Sequence, residues 1–168
     1  MAGFKGILKG QTSREKVPVQ TTTIGMAAEN IPAGTVCAVI DGVATIATTA
    51  NSAGEVIGVS VESVDNSGGS PGDLNIKLVL SNCLVAVQTR TALQPLDGVK
   101  VSTTAGDVDE FVAGTDDEDL KIGRYRGVEG AVFARAAGTP FRETLSAGNV
   151  PEQDAAADDI VWIELLDR

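Results

Sequence analysis

The chain has 168 residues, with 13 basic and 23 acidic side chains, a net charge of −10 and no histidine. This length is enough for one sizeable core and favours a single domain. The lack of histidine excludes Ser-His and Cys-His nucleophiles and His-ligated metals. No apolar run approaches the roughly 20 residues of a membrane helix, and no signal-peptide pattern opens the chain. We therefore expect a soluble protein with no membrane partner.

Residues 1–20 are predicted to form an extended N-terminal arm, because Gly3, Gly6 and Gly10 disfavour a helix. Phe4, Ile7 and Leu8 give this arm a small apolar anchor, which is better hidden by docking on a partner than left in water. A frayed terminus is the alternative interpretation.

Charge separates the arm from the rest of the chain. Residues 1–24 carry four basic side chains and one acidic one, a charge of +3 (4 − 1), which leaves −13 (9 − 22) for the remainder. The basic residues of the arm are Lys5, Lys9, Arg14 and Lys16. So negative a body repels phosphate backbones, and we expect no nucleic-acid partner.

Residues 21–168 contain a motif that occurs twice. Each copy begins with an Asp-Gly turn. A run that opens with Ile-Gly comes next, and an apolar run that follows an Asp-containing turn ends the copy. The first copy has Asp41-Gly42, Ile57-Gly58 and Gly72-Asp73, and the second has Asp97-Gly98, Ile122-Gly123 and Asp158-Asp159. With no helical period between them, these runs predict one all-β domain, a small barrel or sandwich with a duplicated hairpin motif.

Two features of the first copy indicate what is buried. In residues 74–80 the leucines and the isoleucine alternate with Asn75 and Lys77, which predicts a strand with one core face and one wet face. Cys37 and Cys83 fall in predicted strands and lack the paired spacing of metal or redox sites. We expect two free buried thiols, with a disulfide between them as the alternative.

The second copy has two acidic insertions. Residues 116–119 are four consecutive carboxylates, which cannot all face one ion and lack the spacing of a calcium loop, so a solvated acidic turn is predicted. Residues 134–159 form a long loop, which we expect to lie on the surface and touch neighbouring subunits. Asp154, Asp158 and Asp159 have no apolar setting suited to acid-base work, and no catalytic residue is assigned.

Aromatic residues are few, with one Trp, one Tyr and four Phe, which argues against a base-stacking platform or a sugar-binding strip. Tyr125 lies between Arg124 and Arg126, and the three predict a small basic interface patch on the acidic body. A solvated strand edge is the alternative. Trp162 is expected to serve core packing or a subunit contact.

Several of these runs together resemble the bacteriophage capsid cement or decoration proteins, the head-stabilisation proteins of small β-barrel type. The resemblance is carried by residues 31–36 leading to Asp41-Gly42, by residues 54–61, by the strand after Gly72-Asp73, and by residues 95–101, Ile122-Gly123 and residues 160–165. It covers about residues 20–168, although the loop at 134–159 is longer than the family core requires.

The resemblance implies a structural protein rather than an enzyme, with no cofactor. Such a protein is made in the host cytoplasm, binds the exterior of the expanded head, often as a homotrimer, and clamps adjacent major capsid proteins. Contact with the capsid is hypothesised for Phe4, Lys5, Ile7, Leu8, Lys9, Arg14 and Lys16 of the arm and for Arg124, Tyr125 and Arg126.

Three alternatives stay open at this point. A tail-tube or baseplate component also uses β-sandwiches with long loops. A virion-surface attachment or carbohydrate-binding module is disfavoured by the few aromatic residues. An enzyme that uses only carboxylates, such as a glycosidase, needs two acidic groups facing each other across a groove, and no such pair is evident.

Overall fold

A computed structural model describes residues 20–81, 83–128 and 154–166. The predicted arm residues 1–19 and residues 134–153 of the predicted loop lie outside the described residues. The strands are β1 Gln20–Gly25, β2 Asn30–Ile31, β3 Val36–Ile40, β4 Val43–Ile46, β5 Val56–Ser60, β6 Val64–Asp65, β7 Asn75–Ser81, β8 Leu84–Gln88, β9 Gly98–Val101, β10 Val108–Glu110, β11 Lys121–Val128 and β12 Ile160–Leu165. The predicted all-β class is confirmed; within the described ranges one short 3₁₀ helix, Glu118–Leu120, interrupts the strands, and no helix is long and apolar enough to cross a membrane.

The strands form two five-stranded sheets with the same order. The first sheet runs β1-β7-β5-β3-β4 and the second runs β8-β12-β11-β9-β10, with antiparallel neighbours throughout. Strands β2 and β6 pair separately as a small ribbon. Without that ribbon, both sheets place their strands in the order first, fifth, fourth, second, third. The predicted duplication is therefore visible as a repeated topology.

Each sheet curls until its two outer strands meet. Met26, one residue after β1, forms a parallel bridge with Ala44 of β4, and Thr89, one residue after β8, forms a parallel bridge with Val108 of β10. A single bridge is not a continuous ladder, so neither sheet is closed. The architecture is a pair of barrel-like sheets.

The motif equivalence holds for two of its three pairs. Ile57-Gly58 and Ile122-Gly123 lie on the fourth strands, and the Asp-containing turns precede the fifth strands. The two Asp-Gly pairs are not equivalent: Asp41-Gly42 joins the second and third strands of its sheet, whereas Asp97-Gly98 stands at the start of a second strand. Asp-Gly favours a tight turn wherever the chain needs one, so the dipeptide does not identify which strands the turn connects. At Asp41 and Gly42 the φ angles are 50° and 81°, as the predicted hairpin turn requires.

The two sheets share one hydrophobic core. Val36, Val59 and Val79 of the first sheet pack with Val101 and Ile163 of the second in a single buried cluster. Each such side chain stabilises the fold by about 1.5–3 kcal/mol relative to an exposed position. The two halves therefore pack on each other through this apolar surface.

The first sheet is also covered on its other face. Met26, Cys37, Ile76 and Leu78 form a second, smaller cluster with Ile31 of the β2–β6 ribbon. Strand β7 was expected to bury one face and to expose the other along its whole length, and it does not. Asn75 and Lys77 are exposed, but Val79 on that same face is buried in the shared core.

A turn of the second sheet is hydrogen-bonded into the first. Gly106, between β9 and β10, accepts a hydrogen bond from the Val36 amide at 2.8 Å and donates one to the Ala47 carbonyl at 2.9 Å. Its φ is +82°, and a Cβ there would lie 2.5 Å from Cγ2 of Thr35. This contact fixes the orientation of one sheet on the other.

Candidate functional site

The outer face of the second sheet carries a group of basic side chains, which we call the cationic face: Lys100, Lys121, Arg124 and Arg126. Strand pairing places them together. Lys121 of β11 is paired with Lys100 of β9, and Arg124 is paired with Glu164 of β12. Paired residues of an antiparallel ladder project to the same side. The neighbouring residues Val99, Val101 and Ile163 point inward to the core, which leaves the charged residues outside.

Two of these cations are directly opposite one another, an arrangement that is destabilising unless it is compensated. Lys100 Nζ forms an ion pair with Asp116 Oδ1, and the side chains of both are largely shielded. Asp116 Oδ2 accepts the Val112 amide at 2.7 Å. The Lys100 ammonium and this amide hold the pKa of Asp116 below its ordinary value.

Lys121 is compensated differently. Its Nζ lies 4.6 Å from the centroid of the Phe111 ring, a distance suited to a cation-π interaction. The ring lies against Gly98, where a Cβ would be 3.3 Å from Phe111 Cδ1. Gly98 thus leaves room for the aromatic ring that supports Lys121.

The two arginines differ in how they are paired. Arg126 donates from Nε to Glu164 Oε2 at 2.8 Å and also pairs with that oxygen through Nη2. Arg124 is exposed and makes no ion pair with any described residue. Trp162 lies two residues from Glu164 on β12, hence on this same face, and is half-buried. Arginine and tryptophan are the residue types that most often dominate binding energy at interfaces.

Tyr125 does not belong to this surface, although it was predicted with its two arginine neighbours as one patch. Its side chain projects to the opposite side of β11 and is fully buried in the shared core. Burial raises the pKa of Tyr125 to about 12, and the charges of Asp154 and Asp159 act in the same direction. The alternation of side chains along a strand explains the difference.

Lys100 and Lys121 were not assigned from the sequence; Lys100 lies on a different strand from Arg124, and Lys121 lies three residues before Arg124 on β11. The signal for Lys100 was present in the sequence, since Val99, Lys100 and Val101 alternate as core, surface and core. The signal for Lys121 was weaker, because the register of β11 against β9 shifts between Lys121 and Gly123. Only the pairing of β9 with β11 brings the two lysines together.

The acidic residues are more structural than the sequence indicated. In the turn predicted to be solvated, Asp116 is ion-paired and Asp117 caps the 3₁₀ helix by accepting from the Asp119 amide. Asp158 pairs with Arg90 at 2.5 Å, and Arg90 also pairs with the buried Asp107 at 2.6 Å. Arg90 therefore forms ion pairs beside the bridge between the end of β8 and β10. Among the described residues no group of three or more Cys, Asp or Glu is arranged to hold a metal ion.

Both cysteines are buried and neither forms a disulfide, as predicted. Cys37 lies in the cluster beneath the ribbon and Cys83 lies in the shared core. Burial raises the pKa of the Cys37 thiol to about 12, with a further contribution from the charge of Glu29. Neither thiol is placed for chemistry.

A second surface feature lies at the seam between the sheets, which we call the seam cleft. It is a cavity of about 330 Å³ at the starts of β1, β5 and β11 and the ends of β7 and β12. Its apolar lining includes Val56, Leu80 and Leu166, and its acidic lining consists of Glu55 and Asp119. Gln20, the first residue of β1, also lines it.

The arm residues assigned to capsid contact, from Phe4 to Lys16, lie outside the described residues. The structure places Gln20, to which the arm connects, at the seam cleft. Comparison of the chain with protein-family models, with curated proteins and with solved structures identifies no match.

Proposed function

We propose that this chain is a structural virion protein that binds the exterior of an expanded phage head and cements neighbouring major capsid proteins. The observation that carries the proposal is the cationic face, where Arg124, Arg126 and Trp162 lie together on the rigid outer surface of a sheet. The four cations of that face lie beside Asp109, Asp116 and Glu164, so the face is less negative than the acidic body as a whole. It suits an acidic protein surface and disfavours a phosphate backbone, which the rest of the body repels.

The duplicated fold supports the same proposal. A cement protein must hold two neighbours at a fixed separation, and two sheets that share one core transmit force between their outer surfaces without bending at a linker. The motif resemblance to decoration proteins points in this direction too. Binding as a homotrimer on the capsid exterior, with the basic arm adding contacts to a neighbour, would supply avidity from many modest interfaces.

Co-sedimentation of the purified protein with expanded heads of the phage that encodes it tests the proposal. We expect saturable binding of the unmodified chain and heads that withstand higher temperature. Deleting residues 1–16 should weaken binding to heads, because it removes the proposed contacts of the arm. Labelling of tails rather than heads in electron micrographs, or no binding to heads, would contradict the proposal in favour of a tail or baseplate component.

A charge reversal tests the assigned face separately. Arg124→Glu should weaken binding to heads by about tenfold, because it replaces an exposed interface cation with an anion. Lys77→Glu is the matched control, since Lys77 is exposed on the first sheet and outside the cationic face. Equal binding of heads by the two variants would show that the cationic face does not contact the capsid. The proposal that the protein binds heads would then be decided by the co-sedimentation of the unmodified chain.

A further inference from the structure

The seam cleft exposes apolar surface that the described residues leave uncovered. Val56, the first residue of β5, lies on its wall and is 56% exposed. Leu80 and Leu166 are only partly buried on the same wall. A cavity of about 330 Å³ has the size of a binding site. An apolar group that fills it would bury these side chains and so stabilise the folded protein.

The cleft also contains an unused polar group. Ser81 is 2% exposed and lines the cleft, and its Oγ has no hydrogen-bond partner among the described residues. A buried hydroxyl without a partner costs about 1–3 kcal/mol. An extended peptide lying in the cleft could satisfy it with a main-chain amide or carbonyl. Ser81 therefore adds an unsatisfied polar group to the wall of the cleft, independent of its apolar side chains.

Charge narrows the choice of occupant. Among the described residues that line the cleft, the two ionisable ones, Glu55 and Asp119, are both acidic. An apolar segment flanked by cations would match an apolar wall with an acidic rim. In this sequence residues 4–9 have that composition, since Lys5 and Lys9 flank the apolar anchor of Phe4, Ile7 and Leu8.

Connectivity favours the segment from the same chain. The arm joins the body at Gln20, which itself lines the cleft. Residues 9–19 separate the anchor from that point, and a flexible chain of this length spans on the order of 20 Å. Such a tether gives an effective concentration on the order of millimolar, which a second copy in dilute solution does not match.

We propose that in the free protein the anchor of Phe4, Ile7 and Leu8 docks into the seam cleft of its own chain, with Lys5 and Lys9 beside Glu55 and Asp119. The anchor is then covered until it is released. On a capsid the same side chains would have to leave the cleft before they contacted a neighbour. The docking itself concerns the isolated protein and does not depend on the proposed capsid function.

A disulfide-trapping experiment on the full chain tests this docking. The variant Ile7→Cys with Val56→Cys is oxidised mildly at micromolar concentration, and the product is resolved by non-reducing electrophoresis and by its mass in solution. Val56 is exposed, so the substitution leaves the core intact. The control is Ile7→Cys with Val112→Cys, because Val112 is 47% exposed and lies outside the cleft. The buried native thiols of Cys37 and Cys83 do not compete.

We expect an intrachain disulfide in a monomer for the Val56 pair, formed at least tenfold faster than for the Val112 pair. Adding Lys5→Glu and Lys9→Glu should slow trapping several-fold at low salt and less at high salt. An interchain disulfide would overturn the proposal by assigning the anchor to a second copy. Equal rates for the Val56 and Val112 pairs would overturn it by showing that the cleft does not hold the anchor.

Discussion

Gly58 and Gly123 occupy equivalent places on the fourth strands of the two sheets, and each is pressed against the fifth strand of its own sheet. A Cβ on Gly123 would lie 2.3 Å from the Glu164 carbonyl oxygen of β12. A Cβ on Gly58 would lie 2.9 Å from Leu80 Cδ2 and 3.1 Å from the Val79 carbonyl oxygen of β7. The repeated Ile-Gly pair therefore records the same close approach in both halves of the chain.

Substituting these glycines should destabilise the protein to different extents. We expect Gly123→Ala to lower the free energy of unfolding by about 2–4 kcal/mol, because the clash is with rigid backbone, and Gly58→Ala by about 1–3 kcal/mol, since Leu80 can move. Urea denaturation measures both. Gly68→Ala is the control, with nothing within 4 Å of its Cβ, and should change stability by less than about 0.5 kcal/mol. A Gly123→Ala protein as stable as the control would contradict the strand packing described.

Substitution of Gly106 by alanine should destabilise the protein more than the same substitution at Gly114, whose added Cβ would meet nothing within 4 Å. Gly106 and Gly114 both have positive φ, +82° and +79°, so alanine incurs about 1–2 kcal/mol of backbone strain at either position. Only at Gly106 does the new methyl group also meet Thr35, the residue before β3 of the other sheet. We expect Gly106→Ala to be less stable than Gly114→Ala by about 1–3 kcal/mol in thermal or urea unfolding. Equal losses would show that the two sheets are not joined through this turn.

The Lys100–Asp116 pair predicts a contribution to stability that depends on pH. The pKa of Asp116 is lowered from its ordinary value of 3.8, first by the Lys100 hydrogen bond and then by the Val112 amide. A lowered folded-state pKa contributes stability that is present above pH 3.8 and is lost as the pH falls through the folded value. Asp116→Asn should therefore flatten the decline of stability with acid below about pH 4.

The matched control for that experiment is Glu118→Gln, an exposed carboxylate of the same turn outside the ion pair. Unfolding curves collected between neutral pH and acid pH should separate the two variants. An acid profile of Asp116→Asn that matches that of the unmodified protein would be inconsistent with the ion pair.

Leu96 combines two unfavourable features in a single residue. It is 56% exposed, and its φ is +71° in a turn that the Asp97 amide closes on the Gln94 carbonyl at 3.0 Å. The third position of such a turn usually holds glycine. We expect Leu96→Gly to leave stability unchanged or to raise it by up to about 1 kcal/mol, because relief of strain offsets the greater freedom of the unfolded chain.

Leu96→Ala is the comparison, because it removes the exposed side chain and keeps the strain. We expect it to be less stable than Leu96→Gly by about 1 kcal/mol when both are unfolded in urea. If the alanine variant proved the more stable of the two, the positive φ at this position would be wrong.

The alternation of apolar and polar residues determined the all-β class, the hairpin at Asp41-Gly42 and the burial of both cysteines, because these depend on neighbours along the chain. Strand order, register and the faces they assemble were decided only by the tertiary structure. Any two strands can share a hydrogen-bond ladder, and the shared core selects which do. That selection set Lys121 opposite Lys100, turned Tyr125 inward, ion-paired Asp116, and opened the seam cleft beside Gln20.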